Sequence, residues 1–104
     1  MDKIEKLVEI FKALSDTTRL KLVKALNDCE PGVCKGGSLC VNALAHRLGV
    51  TQSAVSQHLR ILRQAGLVRN ERHGSFIHYS LDPDGLAKYR GALRETLGKN
   101  FAID

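Results

Sequence analysis

Apolar residues recur with a helical period over the first two thirds of this chain and then switch to alternation. Between Ile4 and Leu14, residues Ile4, Leu7, Val8 and Phe11 share one face at helical spacing. Ser15 reads as the N-cap of a second helix, with Asp16 favourable near its positive end. In that helix Leu20, Val23 and Leu26 form the inward stripe, and Leu22 widens it. Pro31 and the glycines Gly32, Gly36 and Gly37 mark residues 27–37 as a loop. Ser38 is placed to cap a third helix whose Val41, Leu44, Ala45 and Leu48 face inward, and Gly49 ends it. Thr51 caps a fourth, where Val55, Leu59 and Leu62 fall at i, i+4 and i+7, and Gly66 closes it. The period then becomes two. Residues 67–72 and 76–81 read as strands on either side of His73-Gly74-Ser75. Asp82-Pro83 supplies an N-cap and a proline at the first helical position, opening a last helix with Leu86, Tyr89, Leu93 and Leu97 along one seam.

This order predicts a mainly α fold with a small β-hairpin. Two helices joined by the short turn Gly49-Val50-Thr51 are the signature of a helix-turn-helix, and a basic hairpin directly after the second has the place of a wing. The expected architecture is a winged helix-turn-helix of about five helices and a two-stranded wing. A recognition helix covers about 52–65 and the wing about 67–81. The 104 residues leave room for one domain over 1–104, and a hydrophobic content of 43% with 26% charged residues is ordinary for a globular chain. No apolar stretch approaches the length needed to span a bilayer, and the charged start Met1-Asp2-Lys3 lacks a signal-peptide core, so a cytoplasmic protein without membrane contact is expected. The net charge is +5, which favours polyanionic partners when the basic residues share a face.

On the helix from Ser53 to Ala65 the apolar stripe leaves Gln52, Ser53, Ser56, Gln57, Arg60 and Arg63 free. Glutamine can pair twice with adenine, arginine with guanine, and serine with bases or phosphates. Thr51 and the amides of the first turn form a phosphate site at the helix N-terminus. His58 is a further DNA candidate with a supporting role. Arg69, Arg72, His73 and Ser75 decorate the wing within reach of a minor groove or the backbone. Enzymatic chemistry is not expected, because the chain has no phosphate-binding glycine loop, no His-Glu-x-x-His motif and no paired carboxylates in an apolar setting.

Ala13-Leu14-Ser15-Asp16-Thr17-Thr18-Arg19-Leu20 resembles the opening motif of the ArsR/SmtB family of metalloregulatory repressors. The run from Ser53 to Val68 is similar to that family's recognition helix almost throughout, and Arg72, Gly74, Tyr79 and Leu81 match its wing. The resemblance implies a homodimer through the first and last helices, released from a double-stranded DNA operator by an inducer. Apolar stripes on both terminal helices agree with such a dimer, and its two-fold symmetry makes the operator an imperfect palindrome.

The family's thiolate box has its counterpart in Leu39-Cys40-Val41-Asn42, where Cys40 matches the first cysteine and Asn42 replaces the second. Cys29 and Cys34, in and beside the glycine-containing loop, offer a substitute set with Cys40. Three thiolates suit a trigonal centre such as arsenite or antimonite, whereas zinc prefers four ligands; copper(I) or another thiophilic ion also fits. Arsenite or antimonite is therefore the expected inducer, and no cofactor is required for DNA binding. Two alternatives stay open: a redox switch in which Cys29 and Cys34 form a disulfide, and a constitutive DNA binder whose cysteines are structural. The last helix contains no histidine, so the family's histidine–carboxylate zinc site is not expected, and His46, His58, His73 and His78 have no ligand-like spacing.

Overall fold

Helix α1 (Lys3–Leu14) opens at Asp2, whose carboxylate accepts the Glu5 amide at 2.8 Å. The computed structural model describes residues 2–29 and 39–100. The inward face of α1 carries Leu7, Ile10 and Ala13, while Ile4, Val8 and Phe11 are 57%, 46% and 50% exposed. The expected stripe is therefore split: Leu7 packs into this chain, and its three companions look outward.

Helix α2 (Thr17–Asn27) is capped by Asp16 and not by Ser15. The Asp16 carboxylate accepts the Arg19 amide at 3.1 Å, whereas the Ser15 hydroxyl donates back to the Lys12 carbonyl at 3.0 Å and closes α1. Leu22 and Leu26 are buried and Leu20 is half exposed, which corrects the expected stripe. At about 100° per residue Leu22 lies roughly 40° from Leu26 and Leu20 roughly 120° away, so one helix face cannot hold both neighbours.

A two-residue strand, β1 (Leu39–Cys40), precedes α3 (Val41–Leu48), and Cys40 in extended conformation occupies its N-cap. The expected cap, Ser38, lies outside the described residues. Gly49, at φ +67°, gives α3 a left-handed terminus and donates its amide to the Ala45 carbonyl. Thr51 then caps α4 (Gln52–Gln64), its hydroxyl accepting the Ala54 amide at 3.1 Å. Both caps agree with the expectation because each is specified by one or two residues whose backbone demands are local.

After Gly66 (φ +80°) come β2 (Val68–His73) and β3 (Phe76–Leu81), joined by a two-residue turn at Gly74-Ser75. The sheet has three strands among the described residues, in the order β1-β3-β2. The extra strand pairs Leu39 with Tyr79 and Cys40 with His78. Helix α5 (Pro83–Leu97) starts at Asp82, whose carboxylate accepts the amides of Asp84 and Gly85 at 3.0 and 3.2 Å. It packs along α1, and Lys3 pairs with Glu95 across their exposed ends. Tyr89 is buried on its inner side and donates its hydroxyl to the Ala65 carbonyl, which ties α5 to the end of α4. Burial, and then the charge of Glu9, push the Tyr89 phenol above its ordinary range.

Leu22, Leu44, Val55, Leu59, Leu62, Leu67 and Val68 are the largest fully buried side chains, and the buried residues form one cluster drawn from all five helices, β1 and the root of the hairpin. The DNA-reading candidates thus stand on a helix whose opposite face is locked into the core. No described helix is long and apolar enough to cross a membrane.

Candidate nucleic-acid interface

Helix α4 buries Val55, Leu59 and Leu62 and exposes Gln52, Ser53, Ser56, Gln57, Arg60 and Arg63. At helical spacing those six residues fall on one continuous arc, contiguous with Thr51 at the N-cap. Polar groups able to donate and accept are followed along the arc by two guanidiniums. The structure brings these seven candidates together.

His58 lies on the other side of the apolar stripe. Its ring is 23% exposed and faces the start of α2, with Nδ1 at 3.4 Å from an Arg19 guanidinium nitrogen and 4.0 Å from the Asp16 carboxylate. Arg19 also donates its Nε–H to the Ala13 carbonyl at 2.6 Å and reaches the Lys12 carbonyl at 3.5 Å. One guanidinium therefore joins the last carbonyls of α1 to α4. The Arg19 amide holds the Asp16 carboxyl below the usual carboxylate range; partial desolvation opposes this, and the charges of His58 and Arg19 add to it. Arg19 belongs to the motif noted in the sequence, but its contact with a residue 39 positions away carries no local signal.

In the wing, register assigns faces. Arg69, Glu71 and His73 share one face with Phe76, His78 and Ser80, and Arg72 stands on the other with Ile77 and Tyr79. Arg72 and His73 are both exposed but point to opposite sides of the hairpin. The His73 and His78 rings meet at a tilt, centroids 4.7 Å apart, His73 lies 3.8 Å from Glu71, and Arg69 reaches the Ser80 hydroxyl at 3.5 Å.

The thiol candidates divide three ways. Cys29, just past α2, is buried and disulfide-bonded. Cys34 lies outside the described residues. Cys40 is a free, half-buried thiol where β1 turns into α3, paired across the sheet with His78. No group of three metal-ligating side chains occurs among the described residues. Asn42, at the position where the resemblance places a second cysteine, accepts a hydrogen bond from Gln52 at 2.9 Å.

Residues 16–70 match the family described as bacterial regulatory protein, arsR family. The chain belongs to the ArsR family. It is similar to the arsenical resistance operon repressor of Escherichia coli, at 37% identity over 73% of this chain and 59% of that protein. It also resembles the solved structure of reduced HlyU from Vibrio cholerae, at 30% identity, TM-score 0.65, and coverage of 89% of this chain and 90% of that one. The fold is shared with a homodimeric winged helix-turn-helix DNA-binding domain of Mycobacterium bovis, a possible ArsR-family regulator, at 21% identity, TM-score 0.67, and coverage of 94% and 83%. As an ArsR-family protein the chain is a transcriptional regulator and not an enzyme. Helices α3 and α4, joined across residues 49–51 and followed by the β2–β3 hairpin, have the element order of a winged helix-turn-helix.

Proposed function

We propose that this ArsR-family regulator is a homodimeric repressor whose α4 enters the major groove of an imperfectly palindromic operator. The observation that carries this reading is the continuous polar arc from Thr51 through Arg63, backed by a core-locked apolar face. Gln52, Ser53, Ser56, Gln57 and Arg60 meet base edges near the helix N-terminus. Thr51, Arg63, Arg72 and His73 meet the backbone or the adjacent minor groove. His58 acts from behind, through the seat of α4. Dimerisation uses the outward apolar residues Ile4, Val8 and Phe11 of α1 with Leu97 of α5.

Release comes from thiol chemistry ahead of α3. Reduced Cys29, Cys34 and Cys40 supply three thiols, which displace the hydroxyls of arsenite or antimonite as water. The arsenical name of the E. coli relative supports this class of inducer. Cys40 belongs to a strand laddered to the wing and directly precedes α3, so a bond made there acts on both DNA-contacting units. A second reading is favoured by the disulfide at Cys29: oxidation itself is the signal. The bond supports either reading, because the fold lets a second sulfur reach Cys29, and two thiols that close are equally placed to chelate.

The test is fluorescence anisotropy of the reduced protein on a selected duplex, titrated with arsenite, antimonite, cadmium, zinc and diamide. Release by arsenite or antimonite, abolished in C29S, C34S or C40S, is expected. Release by diamide alone, lost in C29S and C34S but kept in C40S, supports the redox switch. Unchanged affinity under every titrant overturns both and leaves a constitutive binder.

A further inference from the structure

Gln52 holds the first position of α4, and its side-chain nitrogen donates to the Asn42 carboxamide oxygen at 2.9 Å. Asn42 belongs to the first turn of α3, so this bond bridges the two helices of the helix-turn-helix at their N-terminal ends. Both side chains are exposed, on the side where the polar arc begins. The contribution of such a bond to stability is small, since water competes for both groups. Its consequence for orientation is larger.

The terminal torsion of glutamine is broad and nearly two-fold, so a free amide exchanges its oxygen and nitrogen at little cost. A glutamine amide carries two N–H donors and one acceptor oxygen. With one N–H given to Asn42, the second N–H and Oε1 remain. Those two match the N7 acceptor and N6 amino donor that adenine presents in the major groove. The reversed amide would set Oε1 against the Asn42 oxygen, so Gln52 reverses only when the Asn42 amide turns with it. We infer that Asn42 is a positioning residue for base reading, which holds the Gln52 amide in the orientation that selects adenine in each half-site. The inference rests on α4 being the DNA-reading helix and adds which base Gln52 reads and what orients it.

The experiment uses the full chain as wild type, Q52A, N42A and N42D. A random duplex library gives the preferred site of the wild type. Competition anisotropy with duplexes altered at one position then measures each base preference. The position whose preference disappears in Q52A is the one Gln52 reads, and adenine is expected there by roughly tenfold over other bases. N42A is expected to reduce that preference to within about twofold, the range where no bidentate pair is held, while preferences elsewhere stay at wild-type values. Those unchanged positions also show that the variant is folded. The carboxylate introduced by N42D accepts but cannot donate, so this variant is expected to keep the adenine preference although its added negative charge weakens binding to every duplex. A preserved adenine preference in N42A overturns the inference, as does a base other than adenine at the Gln52 position. A wild-type protein without base preference at any position overturns the DNA-reading role of α4 itself.

Discussion

Gly85, in the first turn of α5, lies against the backbone of Gly66, and a Cβ added there would collide with the Gly66 carbonyl oxygen. Neither partner is a flexible side chain, so the helix or the turn after α4 must shift. Gly85→Ala is expected to cost about 1–3 kcal/mol, the usual range for overpacking, read as a lower urea midpoint. An unchanged midpoint would mean that α5 is free to slide. Asp16 makes a second prediction at this scale. Its folded-state pKa lies below the ordinary carboxylate value, so its contribution is full above that value and is lost as pH falls through the lowered one. Urea melts from neutral to acid pH should show a shallower acid-side loss in Asp16→Ala than in wild type. Equal slopes would show that the cap is unmade in solution.

At the scale of elements, α4 was almost fully legible. Thr51, the Val55–Leu59–Leu62 stripe and Gly49 each act through neighbours within one or two turns. Thr51→Ala should therefore cost about 1 kcal/mol of stability, measured by thermal melting, because the Ala54 amide loses its acceptor. Arg63, exposed toward the end of the arc, belongs to the phosphate contacts of the proposal. Arg63→Ala should lower the slope of log affinity against log salt by about one; an unchanged slope would remove Arg63 from the backbone contacts. The inward faces of α1 and α2 were not legible in the same way. Each helix has more apolar residues than one face can hold, and only the packing partners select Leu7–Ile10–Ala13 and Leu22–Leu26. The strand β1 is two residues long, too short to show alternation. In the candidate site the polar arc followed from helical period alone. Asn42 beside Gln52, Arg19 beside His58 and Cys40 opposite His78 are tertiary juxtapositions that no local pattern carries.

For the whole molecule, the outward row Ile4, Val8 and Phe11 leaves three large apolar side chains of one helix about half exposed. If a second copy covers it, Phe11→Glu should convert the protein to monomer in analytical ultracentrifugation and weaken operator binding, leaving the α4 arc untouched. A Phe11→Glu protein that still sediments as a dimer would place the interface elsewhere. The same symmetry bears on DNA, since two α4 helices related by a two-fold axis meet the duplex about one helical turn apart. The most direct test of the account is hydroxyl-radical footprinting of the full chain on a duplex selected from a random library. Two symmetric protected half-sites with centres about 10–10.5 base pairs apart are predicted. Protection of a single half-site, or uniform protection of every duplex, would contradict a dimeric repressor that reads its operator through α4.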